Sequence, residues 1–269
     1  MIENLVYFYL LAPLHTGGTT QEGNLLGIAR ESHTNLPYIP SSTIRGRLRA
    51  SVTDSIDDRH QLFGKDLDSG DTLTQGDIWI GDGSLLWLPI PSLSHGVIWV
   101  SSPLLLQRWA RLTQQSITLP SEKYACFGMD AKKPVYLKDA IIKPSELTAL
   151  SQDQFKALMP QSAHTATVKR AIVLPDQHCA TLIQMGLWRQ VKIKLDEHKT
   201  VKDGSFRYEE AIPPDTIMYF PWGTTTQAKH GTGSQSAADF TTLLNQADIL
   251  QIGGQESLGR GFVQTWLAH

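Results

Sequence analysis

Residues 76–101 read GDIWIGDGSLLWLPIPSLSHGVIWVS. Apolar runs at 78–80, 85–91 and 96–101 follow one another, and each is of strand length. They are rich in aromatic and β-branched residues and bounded by Gly, Asp or Ser. No amphipathic helix can be drawn through such a passage, so the chain must build a sheet. Residues 4–13 have the same character, NLVYFYLLAP, and stop at Pro13. With 21 Gly and 14 Pro, the 269 residues hold too many turn formers for a helical bundle.

Helical spacing appears elsewhere. In residues 41–56, Pro40 stops the preceding segment and Ser41 and Ser42 are N-cap types. Ile44, Leu48 and Val52 make one apolar stripe. Helices are also predicted over 103–113, 145–149, 153–158, 176–185 and 237–248. Further strands are predicted at 135–137, 140–142, 170–174, 188–195, 205–211, 216–220 and 262–267. Glycines 17, 18, 23 and 27 mark residues 17–27 as a loop, and 221–236 reads as a long loop. Strands and helices interleave without the strict alternation of a doubly wound sheet. The expectation is an α+β fold in one domain over 1–269, an antiparallel sheet with helices on one face.

Net charge is -2, which excludes a globally basic nucleic-acid binder and leaves local patches. Cys126 and Cys179 have no motif spacing and read as free buried thiols of a cytoplasmic protein. Nine His without an HExxH or a Cys/His cluster give no reason to expect a metal. The acidic start MIEN argues against a signal peptide. The apolar runs are far shorter than the ~20 residues of a membrane helix, so no membrane partner is expected.

Candidate chemistry concentrates in residues 14–50, LHTGGTTQEGNLLGIARESHTNLPYIPSSTIRGRLRA. Arg45 and Arg49 share a helix face and Arg47 projects elsewhere. With Ser41, Ser42 and Thr43 at a helix N-terminus they make a seat for phosphates, or else a solvated helix face. Glycines 253, 254, 259 and 261 around Arg260 either approach phosphates or close a tight loop. Lys192, Lys194, Lys199, Lys202 and Arg207 flank the turn Asp203-Gly204. They form a basic finger, or lysines that guard an edge strand. His15 and His33 lack a nucleophile or metal beside them. Asp77 and Asp82 read as turn residues, and Cys126 has no adjacent base.

Four passages together resemble the RAMP superfamily of CRISPR-associated proteins, and within it the backbone subunits of type III-B (Cmr module) effectors. They are HTGG…ARESHTNLPYIPSSTIRGRLR, LFG with residues 76–109, VKDGSFRYEEAIP, and IGGQESLGRGFV, in family order over almost the whole chain. The resemblance implies a ferredoxin-like (RRM-like) core with insertions, among them a protruding thumb hairpin at about 186–212. It implies copies stacked along a CRISPR RNA, alongside other effector subunits, with each thumb displacing one base of the guide–target duplex. Mapped onto this chain, it implies RNA contacts at His15, Gly17, Gly18, Arg30, Ser41, Ser42, Thr43, Arg45, Gly46, Arg47, Arg49, Lys192, Lys194, Gly253, Gly254 and Arg260.

The chain departs from the family in its signature, where Ser41 replaces the first Gly, and at one place that bears on chemistry. Where family members carry an aspartate needed to cut target RNA, this sequence has Leu25, or Asn24 if the loop shifts by one. Neither side chain can assist metal-dependent attack of a ribose hydroxyl. The expectation is a guide-holding subunit without its own cleavage and without a bound cofactor. An alternative keeps cleavage through Glu22 or Glu31, with a divalent metal such as Mg. A further one is a guide-precursor endoribonuclease using His15 and His33.

Overall fold

The computed structural model describes residues 4–22, 25–53, 55–65, 74–119, 124–194, 196–201, 205–228 and 231–267. At the centre of the main sheet, β1 (Asn4–Leu10) lies antiparallel between β14 (Ile217–Thr224) and β16 (Phe262–Leu267). Outward from β14 come β5 (Ser84–Ser92), β6 (Gly96–Ser101), β11 (Ala171–Val173), β7 (Tyr124–Phe127) and β10 (Leu147–Ala149). Outward from β16 comes β15 (Ile249–Gln251), and β4 (Ile78–Ile80) pairs with the later part of β14. Pro89 and Pro91 lie past Trp87, where the pairing of β5 with β14 ends, so their missing N–H groups cost that ladder nothing.

A second sheet has the order β12 (Trp188–Lys192), β13 (Arg207–Ala211), β3 (Leu25–Ile28) and β2 (Gly17–Glu22). A small pair joins β8 (Val135–Tyr136) to β9 (Ile141–Ile142). The helices are α1 (Ser41–Ser51), α2 (Ile56–Phe63), α3 (Pro103–Thr113), α4 (Gln152–Lys156), α5 (Asp176–Gly186) and α6 (Gly233–Gln246).

The α+β expectation holds, and two of its details do not. The sheet is mixed rather than antiparallel: β6 runs parallel to β11, and β7 parallel to β10. Helices cover both faces rather than one. Val6, Phe8 and Leu10 of β1 pack with Ile44 and Leu48 of α1, Ile183 of α5 and Phe240 of α6. Leu5 and Tyr7, pointing the other way, pack with Leu106 and Trp109 of α3 and Phe155 of α4. Unbroken apolar runs such as LVYFYL and SLLWLPI are what a strand buried on both faces requires.

Local differences have local causes. The helix predicted over 41–56 ends at Ser51, and α2 restarts after Ser55, whose hydroxyl accepts from Asp58 N at 3.1 Å. Residues 145–149 form a short turn and then β10, not a helix. Residues 17–27 pair as β2 and β3 rather than looping freely. In 221–236, β14 runs on to Thr224 and α6 begins at Gly233, shortening the loop from both sides. The antiparallel pair predicted at 188–211 is present as β12 and β13, with Trp188 opposite Ala211. The turn at Asp203-Gly204 lies outside the described residues.

Candidate nucleic-acid interface

A polar groove of about 540 Å³ opens where β3, the segment after it, α5 and the β12–β13 pair meet. Leu25, Arg30, Glu31, Gln184, Arg189 and Glu210 are among its walls. The segment after β3 folds back on itself: Tyr38 N donates to Ala29 O at 3.2 Å and Glu31 N to Leu36 O at 2.9 Å. Asn35, with φ 58°, makes the reversal, in the left-handed region that Asn tolerates best among residues with a Cβ. That turn aims Arg30 inward, where its guanidinium donates to Asn35 O at 3.3 Å, to Gln184 Oε1 and to Glu210 Oε2.

Two adjacent acids organise the rest. Strand alternation sends Glu209 and Glu210 to opposite faces of β13, and both are buried. Glu210 takes Arg30 and, at 3.2 Å, Arg189 Nε. Glu209 takes Lys192 Nζ at 2.7 Å and Arg260 Nη1 at 3.3 Å. Arg260 also donates from Nη2 to Gln190 Oε1 at 2.7 Å, and its guanidinium lies 4.3 Å from the Trp188 ring centroid. His15 Nδ1 lies 2.8 Å from Glu210 O, and His15 O accepts from Gly254 N at 2.9 Å. Thus His15, Arg30, Lys192 and Arg260, far apart in sequence, converge on a Glu pair that sequence reading passed over. The one local signal was YEEA, two acids inside a strand next to buried apolar residues.

The glycines divide by geometry. At Gly253 (φ +81°) a Cβ would sit 2.4 Å from His15 O, and at Gly261 (φ +77°) 1.9 Å from Ile252 O. These positions hold a tight loop closed. Gly18 is also crowded, by Ile28 O at 2.8 Å, whereas Gly17 and Gly46 have open space around them. Gly254 would meet His15 Cδ2 at 3.7 Å and His15 O at 3.9 Å, both ordinary contacts.

The start of α1 is already capped. Ser41 N donates to Asp82 Oδ1 at 2.7 Å, so Asp82 is a helix cap rather than a plain turn residue. Arg45 and Arg49 share a face, as their spacing requires, but that face looks onto the end of α2. Arg45 donates to Phe63 O at 2.6 Å and Ile78 O at 3.1 Å, and Arg49 to Phe63 O at 3.2 Å and Gly64 O at 2.8 Å. Cations there satisfy carbonyls that the helix end leaves open. Burial, and then Arg49, push the Arg45 pKa below its ordinary value. Arg47, half-buried, projects away, while Ser42, Gly46 and Lys194 are exposed and Thr43 is half-buried.

Glu31 is spoken for. Arg108 of α3 forks onto it, Nη1 to Oε1 at 2.5 Å and Nη2 to Oε2 at 3.2 Å, and Thr34 Oγ1 adds a bond at 2.6 Å. Burial alone would raise its pKa, but the Arg108 and Thr34 bonds outweigh that and hold the carboxyl below its ordinary value. His33 is exposed, 3.8 Å from Glu31, while His15 is buried against Glu210 O, so the two histidines serve different partners. Glu31 and Glu210, the groove's two described carboxylates, both carry arginines. The described groove therefore does not offer the free oxygen set a divalent metal takes. Among the described residues no group of three His, Cys, Asp or Glu side chains is placed to hold a metal ion. Asn24 and the Glu22 side chain lie outside the described residues. No helix among them is long and apolar enough to cross a membrane.

Comparison with known proteins agrees with this architecture. A Pyrococcus furiosus protein named CRISPR system Cmr endoribonuclease Cmr4 is 28% identical, over 98% of this chain and 95% of its own length. CRISPR system CMR subunit Cmr4 of Saccharolobus solfataricus is 22% identical over 97% of this chain and 96% of its own. Among solved structures, a chain of the type III-B Cmr-beta complex bound to cognate target RNA superposes with TM-score 0.79 at 19% identity, covering 98% of this chain and 96% of that one. Oligomeric Cmr4 from Pyrococcus furiosus gives 0.72 at 24%, covering 98% and 96%. The RAMP superfamily profile matches residues 7–264. With that profile spanning nearly the whole chain, the chain belongs to the RAMP superfamily.

Proposed function

We propose that this chain is a guide-RNA-binding backbone subunit of a type III-B CRISPR effector, polymerised along the CRISPR RNA, and that it holds target RNA without cutting it. The single observation that carries the second half is at the groove wall. The position that resembles the family's catalytic aspartate is Leu25, or Asn24 with a shift of one, and Leu25 lines the groove. Glu31, a candidate substitute acid that lines the groove, is tied to Arg108. Copies of itself, other effector subunits, CRISPR RNA and complementary target RNA are the partners of this reading. Its support is the 28% identity to the Pyrococcus furiosus Cmr endoribonuclease over nearly the whole of both chains.

In this reading the antiparallel centre of the main sheet is the ferredoxin-like core, and the β12–β13 pair is the thumb that displaces a base. Ser42, Gly46, Arg47 and Lys194 face the guide, since phosphate contacts position a strand while base pairing reads its sequence. Arg45, Arg49 and Arg260, whose guanidiniums are engaged inside the fold, shape that surface from behind.

The test is the assembled complex, loaded with guide and incubated with labelled complementary RNA and Mg. Wild type is expected to retain the target intact, and Leu25→Asp to release products at regular steps. Products from the wild-type complex overturn the non-cleaving reading in favour of Glu22 or Glu31. Cleavage of repeat RNA by the isolated chain would instead favour a guide-precursor endoribonuclease.

A further inference from the structure

On the side of the main sheet covered by α3 and α4 there is a second cavity, of about 610 Å³. It shares no lining residue with the groove. It lies beside Asn4, Leu5 and Tyr7 at the start of β1. The glycine loop packs beyond the other end of that strand, where Gly261 N donates to Pro13 O at 3.0 Å. No RNA contact proposed above lies in this cavity.

Its floor is aromatic, and the polar atoms there are spent on each other. Tyr7 stacks on Trp266 with 5.4 Å between ring centroids, and Trp109 Nε1 donates to Tyr7 OH at 2.9 Å. Leu112 and Met159 extend the apolar lining. The rim is polar. Gln114 ends α3 in the left-handed region, φ 56°, where helices most often place Gly. Gln161 Nε2 donates to Lys156 O at 2.9 Å and to Met159 O at 2.7 Å, which fixes the amide. Its Oε1 has no partner among the described residues, and neither has Lys156 Nζ. Among the described lining residues Lys156 is the one charged side chain.

Small-molecule sites are concave, about 300–1,000 Å³ in volume, apolar in lining and fixed in orientation by a few polar groups. Aromatic walls suit a flat ring, and a cation with no carboxylate beside it suits an anion. The geometry points to a binding site for a small aromatic anion, a one- or two-ring compound that carries a carboxylate or a phosphate. Its ring lies against Tyr7, Trp109 and Trp266, its acid meets Lys156 Nζ, and the Gln114 and Gln161 amides take polar groups on the ring. An aryl carboxylate and a nucleoside monophosphate share this chemistry. The inference goes beyond the RNA-binding reading and does not depend on it.

The experiment is saturation-transfer NMR, with titration, of the purified full chain against two acids, indole-3-acetate and AMP. Their neutral counterparts, indole-3-methanol and adenosine, are measured beside them. At least one acid should bind, and more tightly than its counterpart, and which acid does so identifies the source of the ligand. Lys156 is exposed, so Lys156→Gln keeps the fold, which thermal unfolding checks. It should weaken the bound acid about fivefold and leave the neutral counterpart unchanged. Thr113→Trp, which puts bulk into the cavity, should abolish binding of both. Lys132→Gln, an exposed cation outside the cavity, should bind as wild type. A single-stranded oligouridylate should not displace the acid.

Absence of binding by wild type at millimolar acid overturns the site. Binding that survives both Lys156→Gln and Thr113→Trp overturns it too, because the ligand then sits elsewhere. An equal loss in Lys132→Gln would make a diffuse basic field responsible, and displacement by oligouridylate would place the acid in the RNA groove; either result overturns the site. Binding by the free chain that disappears in the assembled effector would assign the cavity to a neighbouring subunit instead. Guide affinity enters none of these measurements, so their failure leaves the RNA-binding reading standing.

Discussion

Glu31 shows how one residue's role depends on a partner far along the chain. Its carboxylate is held below its ordinary pKa because the Arg108 and Thr34 bonds outweigh burial. A depressed carboxyl stabilises the fold above its ordinary pKa, and that contribution is lost as pH falls through the lower, folded value. Glu31→Gln should therefore cost about 1–2 kcal/mol at neutral pH. It should also show a shallower acid limb than wild type in thermal unfolding between about pH 6 and pH 3. An acid limb as steep as wild type would remove Glu31 from the account. Cys179 is buried and its thiol is pushed up by that burial and then by Asp176. Cys126 is buried too, with its thiol also raised. Neither should react with a thiol reagent such as Ellman's at neutral pH until the chain unfolds, a contrast read by absorbance in native and denaturing buffer. Sequence reading singled out His15, Arg30, Lys192 and Arg260, but not Glu209, Glu210 or Arg189. Basic residues near glycines draw attention by type, whereas an acid acquires meaning from what lies across a strand.

Among the elements, α1 separates two uses of small and basic residues. Gly46 sits mid-helix with nothing near its missing Cβ. Gly46→Ala should raise stability by about 0.5–1 kcal/mol in denaturant titration. A simultaneous fall in guide affinity would mean that an RNA backbone approaches α1 closely there. Gly261→Ala has no such freedom, with φ +77° and Ile252 O 1.9 Å from the new carbon. It should cost several kcal/mol, about 2–4, and lower the melting temperature correspondingly. Arg45→Ala and Arg49→Ala will each lose bonds to the end of α2. Their effect on RNA binding is therefore meaningful only when stability is measured beside it. The extent of α3, β6 and β16 was legible from apolar period and flanking Ser, Pro and Gly. The break between α1 and α2 was less so, because Asp54–Arg59 has no Pro and only weak stop signals. The 17–27 loop hid two strands because glycines that look like punctuation also serve in twisted, irregular β pairing.

Across the whole molecule, the main sheet is buried on both faces, while the second sheet joins it through few bonds. Leu14 and Ile212 bridge to each other, and His15 to Gly254. Hydrogen exchange should follow that division. Amides of β1, β5 and β14 should exchange slowest and those of β12 and β13 much sooner, with bound guide RNA slowing the second group selectively. Uniform protection of both sheets in the free chain would contradict a small sheet held as a separate, looser unit. The formal net charge of -2 fits this arrangement, because the cations that line the groove are gathered by folding rather than by composition.

By itself the sequence determined the chemistry class and most of the elements. Strand-length apolar runs could only become a sheet, and the arginine- and glycine-bearing passages carried the likeness to a family. The place where the resemblance looks for an aspartate, Leu25 or Asn24, could be named without any structure, since it depends only on order along the chain. Tertiary structure alone decided that the sheet is covered on both sides and that Asp82 caps α1. It alone decided that Glu31 belongs to Arg108, and that Glu209 and Glu210 gather cations from three separate segments. The physical reason is range. Hydrophobic period and turn chemistry act within a few residues, whereas burial of a charge is tolerated only where a partner arrives from elsewhere in the chain.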